Sequence, residues 1–341
     1  MRKPGIQQSE WVSLGHPDKM ADYITSYILD RYLEADPLTR YAVEVMVKDD
    51  HVFLAGEVTS RVRFGYDDLD AFAKAAVIEI GYDRAYWNRW GGLNTICGED
   101  IAMTAKLSRQ SPDIAQGVNG DVGWGDQGIF WGMAVADPAT GYMPRDHWYA
   151  RKIGGAVARS GLCGLDVKTL VSTNEGEPYR VICAAPVLTP EAEAGVYAII
   201  RGLAPGAEIV LNGTGRFVTH GPVGDSGVTG RKLAVDFYGG NCRVGGGSPW
   251  GKDATKADVA LNLYARKLAL AEVQRGATQT CFCSLACAIG QPDLEVCLYD
   301  AEMRIVGYRR ESRPAREIID ELGLRKPGYA ARCREGLFSA I

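Results

Sequence analysis

Apolar residues recur at helical spacing over 17–35. Ala21, Ile24, Ile28 and Tyr32 form one stripe, with Met20, Tyr27 and Leu29 beside it. Pro17 suits the first helical position, and the segment stops near Asp36-Pro37. The pattern then changes to strands at 41–48 and 51–60, joined by Asp49-Asp50, which predicts a hairpin. Further helices are expected at 67–80, 145–160, 190–202, 255–275 and 314–323. Further strands are expected at 129–136, 167–173, 179–187, 279–289 and 294–301. Residues 84–100 carry Trp and Gly without a clear period and read as irregular. Strands and helices alternate without a strict βαβ rhythm, which favours an α+β fold over a doubly wound sheet. No internal repeat stands out.

Length and composition narrow the class. A chain of 341 residues predicts two or three domains. Hydrophobic residues at 46% and charged residues at 23% exclude a disordered or fibrous chain. The net charge of −4 offers no overall basic field for nucleic acid. No apolar run approaches the roughly 18 residues needed to span a bilayer, and residues 1–8 lack the apolar core of a secretory signal. Of the nine cysteines, Cys281, Cys283 and Cys287 are spaced by even offsets. On a strand they share one face, as small buried hydrophobes would. A zinc site would need a fourth ligand and paired CxxC spacing, and neither is present. A reducing cytoplasm is therefore expected.

Glycine is the unusual number, at 41 residues. It concentrates at 117–128 and 213–251, where Lys, Arg and Asp are also placed. Three segments could carry chemistry. Gly15-His16-Pro17-Asp18-Lys19 opens the first helix, whose free N–H groups suit a phosphate; His16 can add a donor and Asp18 can hold Mg²⁺. The plainer alternative makes Asp18 a favourable first-turn charge and His16 a loop residue. Gly245 to Asp253 contains the spacing G-x-x-x-x-G-K, but Asp253 stands where a P-loop needs Ser or Thr. Small residues there still let the backbone approach an anion, with Lys252 and Lys256 supplying charge and Asp258 following. Thr214 to Phe217 and Gly221 to Lys232 place Arg216, Arg231 and Lys232 around a glycine-punctuated loop holding Asp225, which could equally be a solvated hairpin tip. Glu44 and Glu57 sit in strands that read as largely buried, where an ion or ammonium group could pair with them.

In combination these segments resemble one family. Ser9 through Asp22 looks like the N-terminal signature of S-adenosylmethionine synthetase. Gln110 to Ile114, Gly125 to Gly128, Gly221 to Lys232, Tyr238 to Gly240, Gly245 to Gly247 and Gly251 to Asp253 recur in that family in the same order. The resemblance covers roughly residues 9–300.

It implies three similar α+β domains with approximate threefold pseudo-symmetry, their mixed or antiparallel sheets covered by helices, at 8–112, 122–219 and 221–335. It implies synthesis of S-adenosylmethionine from ATP and L-methionine, then hydrolysis of the displaced triphosphate. Two Mg²⁺ per site and K⁺ are the implied cofactors. Self-association, with active sites shared between subunits, is also implied, and no nucleic acid or membrane partner.

By the same resemblance, His16 assists triphosphate departure, and Asp18 and Asp258 match Mg²⁺ ligands. Lys168 matches the polyphosphate contact near the reacting centre, with Asp166 beside it on the nucleotide. Arg231, Lys232, Lys252 and Lys256 match further polyphosphate contacts, and Asp126 a lining position. Arg216 and Phe217 match the adenosine pair. Glu57, Gln110, Asp113 and Asp225 match the methionine site, and Glu44 the K⁺ site. The loop between Gln116 and Asp126, a mobile gate in the family, is short here. The trimmed loops leave two alternatives, a non-catalytic partner of another synthetase and a tripolyphosphatase that lost the first half-reaction.

Overall fold

The computed structural model describes residues 5–109 and 122–339. Its strands form three four-stranded sheets with a repeated plan. The centre of each is an antiparallel hairpin: β2 (Arg40–Lys48) with β3 (His51–Thr59), β6 (Lys168–Asn174) with β7 (Glu177–Ala184), and β10 (Thr280–Cys287) with β11 (Asp293–Tyr299). Beyond each second strand lies a neighbour. These are β4 (Ala102–Ser108) and β8 (Glu208–Leu211), both parallel, and β12 (Ile305–Ser312), antiparallel.

Against each first strand packs an antiparallel strand from a different third of the chain. β1 (Ile6–Val12) joins β6, β5 (Gly128–Val135) joins β10, and β9 (Gly227–Val228) joins β2. The three thirds thus exchange strands in a closed cycle. This is the threefold likeness that the sequence resemblance implied, written in connectivity rather than in repeated residues.

Helices cover one face of each sheet. α1 (Pro17–Ala35) and α2 (Tyr66–Ile80) pack on the first. The apolar stripe of α1 puts Ile24 and Ile28 into a core with Val43 and Val45 of β2. α1 ends at Asp36, which is extended because the following Pro37 disfavours helix there. α4 (Arg145–Ala158) and α5 (Pro190–Leu203) cover the middle sheet, where Ile153, Val157, Val171, Val181 and Ile200 form a separate, smaller core. α7 (Ala257–Gln274) covers the third sheet and shares the core of the first. Further short helices include α6 (Leu233–Asp236), α8 (Ala315–Glu321) and α9 (Tyr329–Glu335).

Several expectations change. Residues 84–100 are not irregular throughout: α3 (Arg84–Trp90) forms there, its N-terminus capped by the Asp83 carboxylate, which accepts the Tyr86 N–H at 2.8 Å. β2 and β3 are not buried on both faces. Tyr41, Val43, Val45 and Val47 face the core, while Glu44, Met46, Phe53 and Glu57 are exposed on the outer face. Cys281 and Cys283 share the buried face of β10 as expected, and all nine cysteines are free. Among the described residues, no helix is long and apolar enough to cross a membrane.

Candidate active site

Two charged clusters grow from two loops of the second glycine-rich stretch, 227–232 and 245–253, both of which bond to β2. The first forms at the N-terminus of α1. His16 is the N-cap, its Nδ1 accepting the Asp18 N–H at 3.1 Å. That bond leaves the neutral ring's proton on Nε2. Asp18 Oδ1 accepts the Val228 N–H at 2.9 Å, Oδ2 takes the ammonium of Lys232, and Arg231 stands 3.7 Å away. The approach needs Gly227, where a Cβ would lie 2.1 Å from the Pro17 backbone.

One turn further along α1, Asp22 accepts the Gly230 N–H at 2.8 Å and the Lys19 ammonium at 3.0 Å. Lys19 also reaches Asp236 at 2.6 Å, and the Trp250 indole donates to Asp236 at 2.8 Å. Two carboxylates spaced i, i+4 on one helix therefore hold two points of the 227–232 loop.

The same cluster draws on the middle sheet. Asp166 accepts the Gly221 N–H at 3.0 Å, and Lys168 pairs with Glu10 of β1 at 3.2 Å. Ser13 ties the two segments together by donating to the Leu165 carbonyl and accepting the Val167 N–H. Asp225 is exposed beside them, its charge acting on both His16 and Asp166. Burial, reinforced by Lys232, lowers the His16 imidazole to about 4, so the ring is neutral at pH 7. Burial raises the Asp166 carboxyl to about 6 despite the Gly221 bond. Burial also pushes Asp18 upward, but Lys232 and the Val228 N–H outweigh it and hold that carboxyl below its ordinary value.

The second cluster forms where Gly245–Asp253 leads into α7. Lys252 pairs with Asp258 at 2.5 Å, and Asp258 accepts the Gly247 N–H at 2.7 Å. Gly246 has φ +71°, and a Cβ there would lie 2.7 Å from Asp258 Oδ1, so only glycine fits this wrap. Asp126 is exposed nearby, its carbonyl accepting from Cys287, a thiol that feels both Asp126 and Asp258. Ala42 of β2 bridges to Lys252. Across β2 and β3, Ala42 faces Glu57 and Ala55 faces Glu44, so both glutamates share this outer face. Burial raises the Glu44 carboxyl, with Lys252 opposing.

The clusters are anchored at different points of one strand. Gly251 and Asp253 bond to β2 at Val43 and Tyr41, whereas Thr229 bonds at Val45 and β9 pairs with Met46–Val47. The nearest anchors, Val43 and Val45, are two residues or about 7 Å apart, and Gly230 of the first loop lies against Ser248 of the second.

Lys256 is the N-cap residue of α7, next to the second cluster in the chain, with no ion pair among the described residues. Arg216 is exposed and Phe217 half-buried on the segment leading to Gly221. No hydrogen bond or ion pair among the described residues joins their side chains to either cluster. Gln110 and Asp113, and most of the first glycine-rich stretch, lie outside the described residues. The sequence reading missed Glu10, Lys19, Asp22, Asp236 and Trp250 as supports. Glu10, Lys19 and Asp22 lie inside the quoted N-terminal motif, and charges on the stripe side of a helix are the signal that could have found the last two.

This geometry can be set beside known proteins. A family model described as S-adenosylmethionine synthetase, N-terminal domain, matches residues 5–112. One described as the C-terminal domain of the same enzyme matches residues 219–340. An S-adenosylmethionine synthase of Paramagnetospirillum magneticum is 35% identical over 99% of this chain and 93% of its own length. One of a Methylobacterium species is 36% identical over 97% of this chain and 91% of its own. A solved structure, described as an unusual S-adenosylmethionine synthetase from Campylobacter jejuni, superposes with a TM-score of 0.86. It shares 30% identity and covers 97% of this chain and 94% of its own. The chain belongs to the S-adenosylmethionine synthetase family.

Proposed function

We propose that this protein is a methionine adenosyltransferase, with sites completed between two copies of the chain. In the reaction, the methionine sulfur attacks C5′ of ATP. The C–S bond forms as the C5′–O bond breaks, and its electron pair leaves with the triphosphate. A thioether is a weak nucleophile, so the work falls on positioning the reactants and stabilising the leaving group.

The first cluster suits that role. Arg231, Lys232 and Lys168 gather positive charge around a neutral His16, whose Nε2–H can donate to the departing oxygen. Asp225, Glu44 and Glu57 offer carboxylates to the methionine ammonium and to K⁺. Lys256 and Asp126 are assigned to the triphosphate end, Arg216 and Phe217 to the adenosine, and Gln110 and Asp113 to methionine, by family resemblance.

The donor set fits Mg²⁺ carried by its substrate. Among the described residues, no group of three or more His, Cys, Asp or Glu is arranged to hold a metal ion. Each cluster offers one central carboxylate, Asp18 or Asp258, and Mg²⁺ commonly binds through one or two carboxylates plus substrate phosphates. Bound there, Mg²⁺ would neutralise triphosphate charge. The nine free thiols fit a reducing cytoplasm.

The single observation that carries the proposal is the separation of the clusters. They use different anchors on β2, no hydrogen bond or ion pair among the described residues joins Asp18, Arg231 or Lys232 to Lys252 or Asp258, and each is incomplete alone. A twofold pairing through the exposed outer face of the first sheet would bring the first cluster of one protomer to the second of its partner. Complementation tests this. Lys232→Met and Lys252→Met should each abolish most product formation from ATP and methionine. After the two variants are unfolded together and refolded, heterodimers with one intact site should recover about a quarter of wild-type activity. A mixture as inactive as its components would refute shared sites.

A further inference from the structure

Behind the first cluster, on the helix-covered side of the middle sheet, lies a 520 Å³ cavity that none of the assigned chemistry uses. Trp11, Leu165 and Val235 supply apolar walls, and one face of α4 supplies the floor: Arg151, Gly155 and Arg159, at i, i+4 and i+8. Gly155 keeps the floor open. The Arg159 guanidinium folds back over it, 2.9 Å from where a Gly155 Cβ would stand, while Arg151 reaches across to Gly336 on the opposite wall.

Neither arginine has an ion-pair partner among the described residues. Of the two carboxylates lining the cavity, Asp236 is committed to Lys19 and Trp250 and Glu335 is exposed; both act on Arg151 at longer range, and neither forms an ion pair with either arginine. Two guanidinium forks facing apolar and indole surface form a concave lining with a polar end and an apolar body. We infer that this cavity binds a small organic anion, an aromatic or apolar body carrying a phosphate or carboxylate head held by Arg151 and Arg159.

Titration calorimetry with 1-naphthyl phosphate and 1-naphthoate tests the inference. It is run with Mg²⁺ and excess imidotriphosphate, so that the polyphosphate-binding clusters are filled. At least one of the two should bind saturably at one site per chain, and the tighter of them assigns the head group. Inorganic phosphate and neutral 1-naphthol should each bind at least tenfold more weakly. Arg159→Met changes an exposed side chain and should weaken binding at least tenfold. Gly155→Leu, which fills the floor against a flexible arginine, should do the same. The inference is overturned if neither naphthyl anion binds saturably, or if Arg159→Met binds as tightly as the wild type.

Discussion

The two charged clusters differ in how firmly they are built. In the first, Asp18 is 2% exposed and bound on both oxygens, and a second carboxylate, Asp22, anchors the same loop one helical turn away. Behind it stands the buried Lys19–Asp236–Trp250 network. The second cluster rests on one ion pair between half-buried groups and one backbone bond, wrapped by glycine. A rigid, desolvated arrangement suits charge that develops in a transition state, where fixed donors need no reorganisation. A pair held by fewer bonds suits a group that must exchange its partner for an incoming anion or cation.

Substitutions can break that contrast. The largest expected effect is Lys232→Met, which should lower kcat/KM for product formation by about 10³-fold. A loss under tenfold would remove the first cluster from the chemistry. Asp236→Asn strips a counter-charge from buried Lys19 and should cost about 3 kcal/mol in urea unfolding. A change within 0.5 kcal/mol, roughly the range of ordinary surface substitutions, would show that the rigid backing is not rigid. Lys252→Met should lower kcat/KM by about 10²-fold, less than Lys232→Met because the second cluster can adapt. Equal losses would erase the distinction.

The smallest effect concerns pH. Burial raises the folded carboxyl of Asp166 to about 6, above the ordinary 3.8, so its charged form weakens the fold at neutral pH. Asp166→Asn should therefore be the more stable protein at pH 8, by less than about 3 kcal/mol, the full value of the shift. The advantage should shrink as pH falls through 6 and vanish below 3.8. An advantage that grows on acidification would reverse the assigned cause.

Much of this was legible from the residues. α1 announces itself by its stripe and by Pro17, and the hairpin by two apolar runs around Asp49-Asp50, because those elements are specified locally. β1 and β9 were not legible. Gln7-Gln8-Ser9-Glu10 has little apolar alternation, and Gly227–Val228 is two residues long. Each becomes a strand only because a hairpin far along the chain offers an edge. The charged loops of the candidate site were visible as glycine beside charge. The division into two separate clusters was not, since it depends on where both loops dock along β2.

The exchange of strands among the three thirds bears on how the polypeptide is born. Translation delivers β1 first, yet its partner β6 begins at Lys168, and β2 must wait for Gly227. The first sheet, begun first, cannot be completed until Gly227–Val228 of the last third has been made, after the middle sheet already has all its strands. Synthesis order therefore does not translate into assembly order, and the barrier to folding includes closing loops well over a hundred residues long. The same interlock makes the two hydrophobic cores lose their structure together, since melting either one removes an edge strand from its neighbour. A nick between thirds would leave fragments that regain stability only by re-forming the whole cycle.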